Sequence, residues 1–91
     1  MEDRRRLPYK PEYDYRWIKH VRMIRSKTQA DMETFMGVDR STIGKLERNE
    51  LEFSPLYQEK FKQAILRLRI SNVELASIRK IIELKELRRL R

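Results

Sequence analysis

The chain has 91 residues, 40% hydrophobic and 40% charged, which suits one small, heavily solvated helical domain with a modest core. The net charge of +8 points to an anionic partner, most often nucleic acid, and the absence of cysteine excludes disulfides and thiolate metal sites. No run of 18 apolar residues exists to span a membrane, and MEDRRRLPYKPEYDY lacks the apolar stretch of a secretory signal, so an intracellular protein is expected.

The charge is unevenly spread. Residues 1–29 carry nine basic and four acidic side chains, residues 30–54 three and six, and residues 55–91 ten and four. The middle is therefore acidic and the flanks are basic.

Residues 1–13 read as an arm. Arg4, Arg5 and Arg6 with two prolines show no helical period. Such a triplet either touches phosphates or enters a minor groove, or is a solvated terminus. Tyr9, Tyr13, Tyr15 and Trp17 are too irregularly spaced to stack bases and are expected to fold back over the core with hydroxyls at the surface. The first helix is predicted from about Tyr15 to Lys27, capped by Asp14, with Trp17, Ile18, Val21 and Ile24 as its buried stripe. His20, the lone histidine, is expected to be exposed, with no metal role.

Thr28 is a good N-cap for a second helix over Gln29 to Met36. Its Met32, Phe35 and Met36 form one apolar face, and Gly37 can take the left-handed conformation that ends it. Val38 plugs the turn and Asp39 caps a third helix over about Arg40 to Arg48. Ile43 and Leu46 face inward there. Arg40, Ser41, Thr42, Gly44, Lys45 and Arg48 are left to face outward, with Gly44 allowing close backbone approach. Asn49 tolerates the left-handed form and can close this helix. Glu50, Glu52 and Phe53 make a loop in which Phe53 anchors to the core.

Ser54-Pro55 starts a fourth helix running to about Arg69, with Tyr57, Phe61, Ala64, Ile65 and Leu68 on its core face. Ser71 to Glu74 form a capping box for a fifth helix from about Asn72 to Leu90. Leu75, Ile78 and Ile82 close the core. Leu84, Leu87 and Leu90 step around the helix to a second, exposed row of the kind that marks an interface. The chain divides into an arm (1–13), a central domain (14–70) and a C-terminal helix for packing and dimerisation (71–91).

Thr28-Gln29, Met32, Met36-Gly37-Val38, Arg40-Ser41-Thr42-Ile43 and Leu46-Glu47-Arg48-Asn49 together resemble the Cro/CI-type (Xre-like) helix-turn-helix of phage and bacterial transcriptional regulators. The likeness is strong from Thr28 to Asn49 and weaker from Ile18 to Ile70. It implies an all-α, five-helix, lambda-repressor-like domain whose third helix enters the major groove. Arg40, Ser41, Thr42 and Lys45 would then contact bases, the alternative being an ordinary solvated face. Thr28, Gln29, Arg48 and the arm's Arg4, Arg5 and Arg6 would contact phosphates. The resemblance also pairs Arg22 with Glu47. Two positions depart from the family pattern: Glu33 stands where a small residue is usual, allowing either shifted packing or a side chain that snorkels outward, and Asn49 stands where glycine is usual.

The expected function is a small sequence-specific DNA-binding regulator, a repressor or autoregulator. It is expected to act as a homodimer on double-stranded DNA, in the cytoplasm of a bacterium or phage-infected host. The alternative is a protein-binding adaptor or antirepressor that reuses the scaffold, which the acidic middle favours. No His/Cys/Asp constellation, glycine loop or nucleophile elbow supports an enzyme, and no cofactor or metal is expected.

Overall fold

The computed structural model describes residues 13–89. They form five α-helices and no strand: α1 (Arg16–Ile24), α2 (Gln29–Met36), α3 (Arg40–Glu47), α4 (Pro55–Arg67) and α5 (Asn72–Arg89). Arg4, Arg5, Arg6, Tyr9 and Leu90 lie outside the described residues. Among the described residues no helix is long and apolar enough to cross a membrane.

Every helix gives to one core: Trp17, Ile18 and Val21 from α1, Met32 and Met36 from α2, Ile43 and Leu46 from α3, Phe61, Ala64 and Ile65 from α4, Ile78 and Ile82 from α5. Val38, Phe53, Tyr57 and Leu75 pack partly buried against it. Tyr13 corrects the boundary drawn for the arm. It is buried, with its ring edge-on to Trp17 at 4.8 Å and to Phe61 at 5.5 Å, so the packed unit includes it. Ile24 was expected in the buried stripe but is 37% exposed, because α1 ends at that residue.

The caps explain the helix starts. At α1 the N-cap position is Tyr15, without a side-chain capping bond, and the predicted cap Asp14 stands one residue earlier, its Oδ1 accepting the Arg16 N–H at 2.9 Å. Thr28 and Asp31 form a reciprocal capping box, with Thr28 Oγ1 accepting the Asp31 N–H and Asp31 Oδ2 the Thr28 N–H. Asp39 Oδ1 accepts the Thr42 N–H at 2.9 Å. Ser71 and Glu74 repeat the box at α5. Ser54 stands at the N-cap of α4, with Pro55 at the first position, but its side chain makes no capping bond.

The helix ends share one device. Ser26, Asn49 and Arg69 take φ of 55°, 62° and 56°, and the next N–H of each reaches back five residues: Lys27 to Arg22, Glu50 to Lys45, Ile70 to Ile65. These are Schellman closures on non-glycine residues. They end α1 and α4 before the predicted Lys27 and Arg69. Gly37, at φ 72°, closes α2.

α5 runs antiparallel along α1. Near the start of α5, Arg25 grips Glu74 through Nη1 at 2.6 Å and Nη2 at 2.8 Å. Near its end, Arg16 Nη1 meets Glu86 Oε1 at 2.7 Å. Between them Arg79 lies over the Trp17 ring at 5.3 Å. Arg25 also donates to the carbonyls of Leu68 (3.0 Å) and Arg69 (2.9 Å), so one guanidinium joins the ends of α1 and α4 to the start of α5. These bonds from Arg25, and then the Ser71 N–H, pull the Glu74 carboxyl down to about 2. His20 corrects an expectation of exposure. It is half-buried with Nε2 3.5 Å from Lys85 Nζ, and burial pushes its imidazole below the ordinary value, with Lys85 and Lys19 adding to the effect. Gln58, unremarked in the sequence, is only 3% exposed and donates Nε2 to the Phe53 carbonyl at 3.3 Å.

Candidate nucleic-acid interface

α3 turns Ile43 and Leu46 into the core and leaves Arg40, Ser41 and Lys45 exposed on its outer side, with Thr42 half-buried. Among the described residues Arg40 and Lys45 are held in no ion pair. Gly44 was assigned to the outer face and is in fact buried. A Cβ there would stand 3.2 Å from Arg48 Nη1 and 3.3 Å from Gln29 Oε1, so the glycine makes room for those side chains.

Gln29 leads to the pair beneath. Its Nε2 donates to Glu47 Oε1 at 3.0 Å. Arg22 meets the same carboxylate bidentately, Nε to Oε2 at 2.7 Å and Nη2 to Oε1 at 3.0 Å, and its Nη1 reaches the Lys27 carbonyl at 3.2 Å. The side chains of Arg22 and Glu47 are 16% and 7% exposed. This pair joins α1 to α3 and, through Gln29, to the first turn of α2. It keeps Arg22 charged, raising its guanidinium above the usual value.

Above this pair lies an open groove of about 690 Å³, lined by Arg22, Ser26, Lys27, Thr28, Gln29 and Arg40, with no acid in its lining. It sits at the start of α2 and meets the tip of α3 at Arg40. Of the residues expected on phosphates, Gln29 and Thr28 border this groove. The Gln29 side chain is nonetheless turned in to Glu47, and the Thr28 hydroxyl is engaged by its cap. Arg48 lies beside Gly44 and is paired with Glu50 at 2.9 and 3.1 Å, which offsets its charge.

Two contributors were not foreseen. Lys27 brings a third cation to the groove and lies over the Phe35 ring at 5.5 Å; its place just before the Thr28 cap was the available signal. Glu33 is exposed, as one of the two alternatives allowed, but its end is not free in solvent. Its Oε2 accepts the Arg40 N–H at 2.7 Å, placing a carboxylate at the tip of α3. Asp39 stands beside it, its carboxyl lowered by the hydroxyl and N–H of Thr42.

On the far helix, Leu84 and Leu87 are 50% and 60% exposed, and Ile81 joins them. Compared with family models, with curated proteins and with solved structures, the chain matches none.

Proposed function

We propose that this protein is a sequence-specific DNA-binding regulator of the Cro/CI helix-turn-helix type, a repressor or autoregulator acting in the cytoplasm of a bacterium or phage-infected host. The observation that carries the reading is the groove at the start of α2, which has no acid in its lining, presents Lys27 and Arg40 beside an Arg22 already held by Glu47, and is continuous with the exposed face of α3. A helix start with cations around it is a phosphate seat. With a phosphate there, α3 lies along the major groove in a lambda-repressor-like arrangement, and Arg40, Ser41 and Lys45 reach base edges. Gln29 helps through its backbone more than its side chain. The exposed row Ile81, Leu84 and Leu87 of α5 supports a two-fold dimer matched to two half-sites.

The test is titration with the DNA upstream of the protein's own gene, against scrambled duplex, at two salt concentrations. Specific binding that weakens with salt is expected. Arg40→Ala should cost about 1–3 kcal/mol on the specific duplex and little on the scrambled one. Salt-independent or absent binding refutes the reading. It would favour a protein-binding adaptor instead, a role that the exposed carboxylates of Glu33 and Asp39 at the α3 tip would suit.

A further inference from the structure

We infer that Glu33 is a specificity-determining residue: its carboxylate keeps phosphate off the tip of α3 and so reserves that tip for base edges. The inference rests on the DNA-binding reading above. A helix start offers unbonded N–H groups and a partial positive charge, and any phosphate can use them. At α3 that seat is filled from within the chain. Glu33 Oε2 takes the Arg40 N–H at 2.7 Å and Asp39 Oδ1 takes the Thr42 N–H at 2.9 Å. Asp39 is an ordinary local cap. Glu33 is not: it comes from α2, seven positions before its partner, and adds a second carboxylate to a helix start that already has one.

Both side chains are exposed, so their charge faces the solvent that a duplex would displace. The start of α2 differs. Its own acid, Asp31, turns back to the Thr28 N–H and does not line the groove, where Arg22 and Lys27 stand. The two helix starts therefore differ in what a phosphate meets: Lys27 and Arg40 with no acid in the lining at α2, and two exposed carboxylates beside Arg40 at α3. A phosphate entering the tip of α3 meets the carboxylates of Glu33 and Asp39, which oppose the attraction of Arg40. A base amino group, such as that of cytosine, meets acceptors. Non-specific binding is almost wholly phosphate attraction, so the two carboxylates weaken it more than they weaken binding to the correct site.

The experiment compares wild type, Glu33→Gln and Asp39→Asn on two duplexes at one salt concentration. One duplex is selected by the wild type from a random library, and the other is its scrambled counterpart. Gln keeps the acceptor oxygen and Asn is as good a cap as Asp, and circular dichroism is the check that each variant folds. Each variant should tighten binding to scrambled duplex about fivefold, the weight of one close like-charge contact in water. Binding to the selected duplex should tighten less, so discrimination falls. Glu83→Gln, which removes an exposed acid on α5, should leave it unchanged. Should Glu33→Gln not fold, Glu33→Ala, which also removes the charge, carries the same comparison. Equal tightening on both duplexes, or no change on either while the wild type still discriminates, overturns the inference and leaves the DNA-binding reading standing. A wild type that binds neither duplex overturns both.

Discussion

Replacing Arg22 with Met tests the buried pair that joins α1 to α3. Arg22 and Glu47 are 16% and 7% exposed, and the guanidinium supplies two of the three hydrogen bonds made to the Glu47 carboxylate, at 2.7 and 3.0 Å, with Gln29 supplying the third. Arg22→Met leaves that carboxylate with Gln29 alone and strips a donor from the Lys27 carbonyl. Stranding one member of a buried pair costs about 3–5 kcal/mol; the residual exposure of Arg22 favours the lower end, about 3 kcal/mol. That is a large share of the roughly 5–15 kcal/mol that holds a small domain together. Arg22→Met with Glu47→Leu removes the orphaned charge and should recover much of the loss. Urea unfolding of the wild type, both single variants and the double variant gives the coupling directly. The exposed pair Arg48–Glu50 is the comparison, since it is solvated on both sides and should show no measurable coupling. Additive losses at Arg22 and Glu47 would refute the argument, because independent residues cannot share one buried charge.

Glu74 makes stability pH-dependent. Its folded value of about 2 lies below the ordinary 4.5, so its contribution is complete above pH 4.5 and is lost as pH falls towards 2. Thermal melts between pH 5.5 and 2.5 should fall less steeply for Glu74→Gln than for wild type; parallel slopes would remove Glu74 from that account. Ser26→Gly and Arg69→Gly place glycine where φ is 55° and 56°. Each should raise stability by about 0.5–1 kcal/mol in urea unfolding, and a loss would mean that the left-handed turn is not strained. Leu87→Asp puts a charge on the exposed row of α5. Sedimentation should show a dimer for wild type at about 50 µM and a monomer for the variant with its helicity kept; a monomeric wild type would end the dimer proposal.

What the sequence made legible follows the range of the interactions. The starts of α2, α3 and α4 were readable because Thr28, Asp39 and Ser54-Pro55 act, or prepare the backbone, within one turn. The buried stripes of α3 and α5 were readable from spacing alone. The end of α1 was not, because Ser26 carries no glycine-like signature and only the closure from Lys27 to Arg22 declares it. Gln58 and Arg25 were missed for a different reason. Each is defined by partners distant in sequence or by packing that local pattern does not encode. At the candidate interface, Arg40 and Lys45 were placed outward from periodicity. Gly44 and Gln29 were misjudged because their roles depend on each other: the missing side chain of one is the space that the other occupies on its way to Glu47.

Arg25 has a consequence for how a chain without cysteine holds itself closed. Its four hydrogen bonds span 43 to 49 residues, so α2, α3 and all of α4 lie inside a loop whose two ends meet at one guanidinium. Closing a loop costs entropy that grows only with the logarithm of its length, so a long loop is hardly dearer than a short one. A disulfide would remove that freedom from the unfolded chain as well. The Arg25 clasp does not. It engages only when the ends of α1 and α4 and the start of α5 have already arrived, and it therefore acts as a reversible staple that reports completed assembly.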